Sequence, residues 1–191
     1  MSFPIAFRRA SISGTEIKLD VPHWKTFNGF VSYAHMRGVG DLPITGGLFL
    51  GDEASALLTS TGEFPVTQDQ RHTVRGRASC QLTSSAWIAM AASYGSGLPV
   101  EFVGDREEAV EQYGRRLVDR VDFERGRVRP SLSLDASFGL VVAKTARHSL
   151  RLQADARNLT DRLNVIDFAG LFSGTAIGPP RSFSVRVQMQ F

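Results

Sequence analysis

Ser182-Phe183-Ser184-Val185-Arg186-Val187-Gln188-Met189-Gln190-Phe191 closes the chain, and its reading decides the fold. Phe183, Val185, Val187, Met189 and Phe191 are apolar, and they alternate with Ser184, Arg186, Gln188 and Gln190. A period of two belongs to a β-strand, whose successive side chains point to opposite faces. The segment is therefore a strand with one apolar and one polar face.

The same alternation recurs upstream. Ile17, Leu19 and Val21 alternate with Glu16, Lys18 and Asp20, and Val31 and Tyr33 in Phe27–Met36 oppose Asn28, Ser32 and Ala34. Between Gln70 and Leu82, Arg71, Arg75, Arg77 and Gln81 alternate with His72, Val74, Ala78, Cys80 and Leu82. Ala86–Tyr94 is a shorter strand, apolar on both sides. Leu132, Leu134, Ala136, Phe138, Leu140 and Val142 alternate with Ser131, Ser133, Asp135 and Ser137, and in Ser149–Arg157 Leu150, Leu152, Ala154 and Ala156 alternate with Arg151, Gln153, Asp155 and Arg157. This makes seven strands, of lengths that suit a tilted membrane strand of about 9–11 residues. Arg106–Tyr113 has good helix formers instead and predicts a short helix within a connection.

The connections are sorted by length. Pro22–Thr26, Thr83–Ser85 and Lys144–His148 are short; Arg37–Asp69, Gly95–Arg129 and Asn158–Arg181 are long and rich in Gly and Pro. Short and long alternate throughout. The predicted fold class is all-β, an antiparallel meander forming part of a transmembrane β-barrel with short periplasmic turns and long external loops. A soluble sandwich also has alternating strands but no reason to sort its loops this way. Arg75, Arg77, Arg151, Arg157 and Arg186 lie mid-strand on the polar side and are the candidate lumen-facing residues. In a soluble protein the same arginines would simply be hydrated.

Composition bounds the alternatives. The 191 residues suffice for one ordinary domain, and 22 Lys+Arg against 19 Asp+Glu give a net charge of +3, too mild to suggest a nucleic-acid partner. The longest apolar run, Ala86–Ala92, is far short of the roughly 20 residues of a membrane helix. The lone Cys80 excludes an internal disulfide and lies on an apolar strand face, where it reads as a small hydrophobe. His23, His35, His72 and His148 occupy separate segments without metal-ligand spacing. Gly38-Val39-Gly40-Asp41-Leu42-Pro43 lacks the third glycine of a dinucleotide loop, and Gly-x-Ser-x-Gly does not occur. Glu107, Glu108 and Glu111 sit among Arg106, Arg115 and Arg116 as a solvated charged surface. No enzyme, cofactor or metal is expected.

Several motifs fall at the strand ends. Arg157-Asn158-Leu159-Thr160-Asp161-Arg162 follows the penultimate strand, Gly178-Pro179-Pro180-Arg181 leads into the last one, and the chain closes on Phe191. Asp69-Gln70-Arg71-His72-Thr73-Val74 and Tyr94-Gly95-Ser96-Gly97-Leu98-Pro99 flank the strands around Cys80. Together these resemble the carboxyl-terminal barrel of TonB-dependent outer-membrane receptors, in particular the large importers with a carboxypeptidase-like regulatory domain. The likeness runs from about Ser11 to Phe191, with residues 1–10 as an incoming loop or partial strand. It implies motif positions at Asn158, Leu159, Asp161, Pro180, Arg181 and Phe191, and a location in the outer membrane of a Gram-negative type of bacterium. It also implies outer-membrane lipid around the strands, barrel-assembly machinery reading the terminal Phe191, and a TonB complex engaged only through an amino-terminal part.

The physical reading of these positions stands beside the resemblance. Asn158 and Asp161 favour a turn by bonding local backbone amides. Pro179 and Pro180 remove two donors and fix where the connection enters the last strand. Such receptors resemble a 22-stranded plugged barrel, which seven strands cannot close, and the sequence offers no plug, TonB box or signal peptide. The expectation is the carboxyl-terminal third of a receptor that imports an external ligand, as a truncated frame or a split-gene product. The alternative is a small self-contained barrel or adhesin, which needs an eighth strand over Phe3–Arg9 pairing with Ser182–Phe191. A soluble β-sandwich binding module is the third reading.

Overall fold

The computed structural model describes residues 6–45, 62–102, 104–145, 147–170 and 174–191. Its main sheet contains β1 (Ala6–Trp24), β2 (Phe27–Thr45), β4 (His72–Gln81), β5 (Ala86–Gly95), β8 (Ser131–Lys144), β9 (Ser149–Arg157) and β12 (Ser182–Gln190), each antiparallel to the next in that order. The short β3 (Glu63–Pro65) pairs with the outer part of β2. Among the described residues β1 pairs only with β2, and β12 only with β9, so both edges of the sheet are open.

The pairing register carries the alternation coherently across the sheet. Leu19, Val31, Gly76, Ala92 and Leu134 form one cross-strand row, and Cys80, Ile88, Phe138, Ala154 and Val185 form another on the same face. Lys18, Ser32, Arg75, Ser93 and Ser133 form a row on the opposite face. A slip of one residue between any two strands would have mixed the two sets. The bulge in β8, between Val141 and Ala143, absorbs an extra residue near the short turn to β9.

Two strands are longer than the alternation predicts. β1 extends back to Ala6, and β2 continues past Met36 to Thr45, into the stretch expected to be loop. In Arg9–Gly14 the apolar Ala10 and Ile12 have the parity opposite to Ile17, Leu19 and Val21, so the apolar row of the strand does not run on, and backbone pairing extends the strand. This extension also corrects the condition for a closed small barrel. Ala6, Phe7 and Arg9 pair with Thr45, Ile44 and Asp41 of β2 rather than with β12, and Phe3–Ile5 lies outside the described residues.

Two of the three long connections, Gly95–Arg129 and Asn158–Arg181, contribute to a cap at one end of the sheet. The first carries α1 (Arg106–Tyr113), α2 (Arg115–Val118) and the hairpin of β6 (Val121–Asp122) and β7 (Arg127–Val128); the second carries the hairpin of β10 (Val165–Gly170) and β11 (Gly174–Ile177). α1 starts where the Asp105 carboxylate accepts hydrogen bonds from the amides of Glu107 and Glu108, at 2.8 and 2.9 Å, and stops at Gly114 with φ of 80°. Ala109, Val118, Val121, Val128, Val165 and Phe168 form a buried core here, with Tyr113 4.9 Å from Phe168 between ring centres.

Candidate functional site

The five strand arginines all stand exposed on the polar face, but the register does not gather them into one group. Arg77, Arg157 and Arg186 surround one depression of about 310 Å³ together with Asp135, Ser137, Gln153 and Asp155. Arg151 shares the next depression with Arg186 and Gln188, toward the short turns, and Arg75 lines neither. The Asp155 carboxylate accepts from Ser137 Oγ at 2.6 Å and from Gln153 Nε2 at 2.9 Å, a carboxylate–amide–hydroxyl group amid the arginines. Nearer the short turns, the Trp87 indole lies on Gly139, its cross-strand partner, where any Cβ would collide with the ring.

At the other end of the strands, Asn158 organises the turn between β9 and the cap. Its backbone has φ of 47°, a left-handed conformation that Asn tolerates better than most residues. Its Oδ1 accepts from the Arg162 amide at 3.3 Å, while Nδ2 donates to the carbonyls of Arg162 at 3.0 Å and Pro179 at 3.1 Å. Its own amide donates to Asp135 of β8, and the next amide, of Leu159, donates to the Leu134 carbonyl at 2.8 Å. Asp161, also left-handed with φ of 51°, pairs with the Arg181 guanidinium at 3.2 Å. Residues of two separate motifs thus close on each other: Asn158 and Asp161 on one side hold Pro179 and Arg181 on the other, fixing where β12 begins. Pro180 lines the cleft beside this junction, and Phe191 stands at the opposite end, its ring 5.8 Å edge-on from His148.

The structural roles of three positions escaped the reading of the sequence, although Asp69 and Gly97 stand in motifs it quoted. Asn164, nearly fully buried, mimics a strand by accepting from the Leu132 amide and donating to the Leu132 carbonyl, both at 2.9 Å. Asp69 is completely buried between β2 and the cap. Its carboxylate accepts from the Gly38 amide at 2.8 Å, from Arg71 Nε at 2.8 Å and from the Arg127 guanidinium, and its carbonyl accepts from Arg127 Nη1 at 2.6 Å. Burial works to raise its pKa, but the Gly38 amide and the two guanidiniums more than offset it and hold the carboxyl below its ordinary value. Asp69-x-Arg71 is visible in the sequence, but Arg127 lies 58 residues away and no local pattern announces it. Gly97, with φ of 94°, lets the first long connection pass against the Val128 carbonyl, where a Cβ would overlap it.

No protein-family model matches the chain, and no curated protein matches it. Among solved structures it is similar to the ferric-catecholate import receptor Fiu of E. coli K12 in its closed form, with a TM-score of 0.56 and 17% sequence identity over 95% of this chain. The chain spans only 21% of that receptor's length. An identity this low establishes a distant structural relationship and the fold alone: an antiparallel strand meander of the receptor β-barrel type.

Proposed function

We propose that the chain forms part of the wall of an outer-membrane receptor barrel, whose intact form takes up an external ligand. One observation carries this reading. The main sheet gathers most of its large apolar side chains on one face in register over seven strands, with Phe30 and Trp87 as exceptions on the other, and that apolar face is exposed: Leu19 is 65% accessible and Val185 75%. A water-soluble sheet covers such a face with a second layer. Here the described residues place no layer on it, and lipid is the solvent that suits it.

The dimensions agree. Phe183 to Phe191 is about 27 Å along the strand, or about 20 Å of depth at a tilt near 40°, comparable with the roughly 25 Å apolar band of an outer-membrane barrel. Tyr33, Tyr94 and Phe183 lie toward the cap end of this face, and Trp24 and Phe191 toward the short turns. Aromatic side chains at both rims suit the two membrane interfaces. The opposite face, with its arginines and the Asp155 network, then lines the lumen, and the cap faces the outside. The open edges of β1 and β12 call for further strands, because unpaired backbone groups in hydrocarbon are costly.

On this reading Phe191 presents the terminal strand to the barrel-assembly machinery, and any coupling to TonB runs through segments of the intact receptor other than this one. The role is structural and ligand-contacting rather than catalytic. Fractionation of the native protein from its own cells tests it. The protein should band with outer membranes on a sucrose gradient and resist extraction by urea. Recovery in the soluble fraction without detergent would overturn the proposal.

A further inference from the structure

The arginines of the cap fall into two sets. Arg106 pairs with Asp119, Arg125 with Asp122, Arg181 with Asp161, and Arg71 and Arg127 share Asp69. No carboxylate among the described residues pairs with the exposed Arg115 and Arg116, nor with Arg120, Arg129 and Arg162, and the last three are different again. They nevertheless meet. Arg120 Nη2 and Arg162 Nη2 both donate to the Pro130 carbonyl, each at 3.0 Å, and the Arg129 amide donates to the Arg120 carbonyl at 2.8 Å. Arg120 Nε is buried and has no acceptor.

Guanidiniums gathered without counter-charge repel one another, and burial together with Arg162 and Arg129 lowers the Arg120 pKa from its ordinary value. All three remain cations, because Arg does not deprotonate in proteins. One backbone carbonyl uses a single donor from each of two five-donor groups. The remaining N–H groups of Arg129, which is exposed, and of the half-buried Arg162 are left to face solvent. Beside Arg162 opens a cleft of about 300 Å³ lined by Arg116, Leu117, Arg162, Ile177 and Pro179, and also by Asp161, whose carboxylate is paired with Arg181. Forked donors around an apolar-walled cleft match an oxyanion carried on a larger body.

We infer that Arg120, Arg129 and Arg162 form a binding site in the cap for a multiply charged oxyanion such as a phosphate group. The inference rests on these residues alone and holds whether or not the sheet lies in a membrane. The phosphate can belong to a soluble ligand or to a lipid headgroup, and the same chemistry serves both.

The test uses the full chain in a neutral detergent, titrated with pyrophosphate at constant ionic strength and followed by calorimetry. Saturable binding of one pyrophosphate per chain is expected. Arg129→Gln and Arg162→Gln should each weaken it about tenfold or more, as the loss of a charge-assisted hydrogen bond to an ion implies. Arg125→Gln removes the same charge from a mostly exposed cap residue paired with Asp122 and should leave binding unchanged. Circular dichroism of each variant checks that the sheet persists. Mixed micelles holding phosphatidic acid then separate the sources: competition with pyrophosphate assigns the site to a lipid headgroup, and its absence assigns it to a soluble ligand. No saturable binding, or binding indifferent to both Arg129→Gln and Arg162→Gln, overturns the inference.

Discussion

Phe168, in the connection between β9 and β12, has no exposed surface, whereas Val185, 17 residues further along the same chain, is 75% exposed on the sheet. The cap follows the rule for water: its Val, Ala and Phe side chains gather into a core and most of its charged residues stay outside, Arg120 and the joining Asp69 excepted. The sheet reverses the rule, displaying its aliphatic residues on one broad face and keeping its arginines on the other. On the proposed reading one polypeptide is built for two solvents, with the boundary between them at the strand ends beside Asn158 and Tyr94. Among the described residues the short turns carry no second core.

The largest test of this contrast removes the centre of the cap. Phe168→Ala should destabilise the cap by about 3–5 kcal/mol, the usual cost of a large core cavity, while Val185→Ala on the sheet should cost far less in aqueous detergent. Denaturation followed by amide exchange of α1 and of β12 separates the two; equal losses at both sites would break the contrast.

Asp69 ties cap to sheet through one buried carboxylate. Asp69→Asn should cost about 3 kcal/mol, because it leaves Arg127 and Arg71 without their anion. The pH dependence has a definite sign. The folded pKa lies below its unfolded value, so this contribution is fully present above the ordinary carboxylate range. It is lost as pH falls below that range through the lowered native value. Acid should therefore loosen the contact between Gly38 and Arg127 in the wild type but not in Asp69→Asn, as amide exchange at Gly38 would report.

Val185→Arg sharpens the assignment of the apolar face. In a bilayer it should cost about 2–4 kcal/mol, depending on depth, whereas on a water-facing strand it would stay within about 0.5 kcal/mol. Refolding equilibria in lipid vesicles measure the difference. The smallest expected effect is at the junction. Asn158→Ala should cost about 1–2 kcal/mol, for a strained left-handed backbone and lost hydrogen bonds, and Asn158→Gly should recover only the backbone part. A full recovery in Asn158→Gly would show that the bonds to Pro179 and Arg162 contribute nothing.

The sheet was legible in the sequence because a strand with one apolar and one polar face must alternate, and six of the seven main strands carry that signal, β5 being apolar on both sides. The helix at Arg106–Tyr113 was legible through its helix-favouring residues. The outer part of β1 and β2 was not, since the apolar row of Ile17, Leu19 and Val21 does not continue with the same parity into Ala10 and Ile12. Nor were β6, β7, β10 and β11, whose two to six residues are too short to show a period and are held by tertiary packing around Phe168. At the candidate site, parity put Arg75, Arg77, Arg151, Arg157 and Arg186 on one face. Which of them share a depression depends on the stagger between strands, which no single strand encodes. The pairing of Asp69 with Arg127 lies beyond any local pattern for the same reason.

The most direct measurement of the account is solvent access along β12. Single cysteines introduced in turn at residues 183–190, with Cys80 replaced by Ala, carry spin labels in the membrane-reconstituted protein. Collision rates with oxygen should peak at 183, 185, 187 and 189, and those with a water-soluble nickel chelate at 184, 186, 188 and 190. Loss of the alternation, or nickel access at the odd positions, would contradict the claim that this face meets lipid.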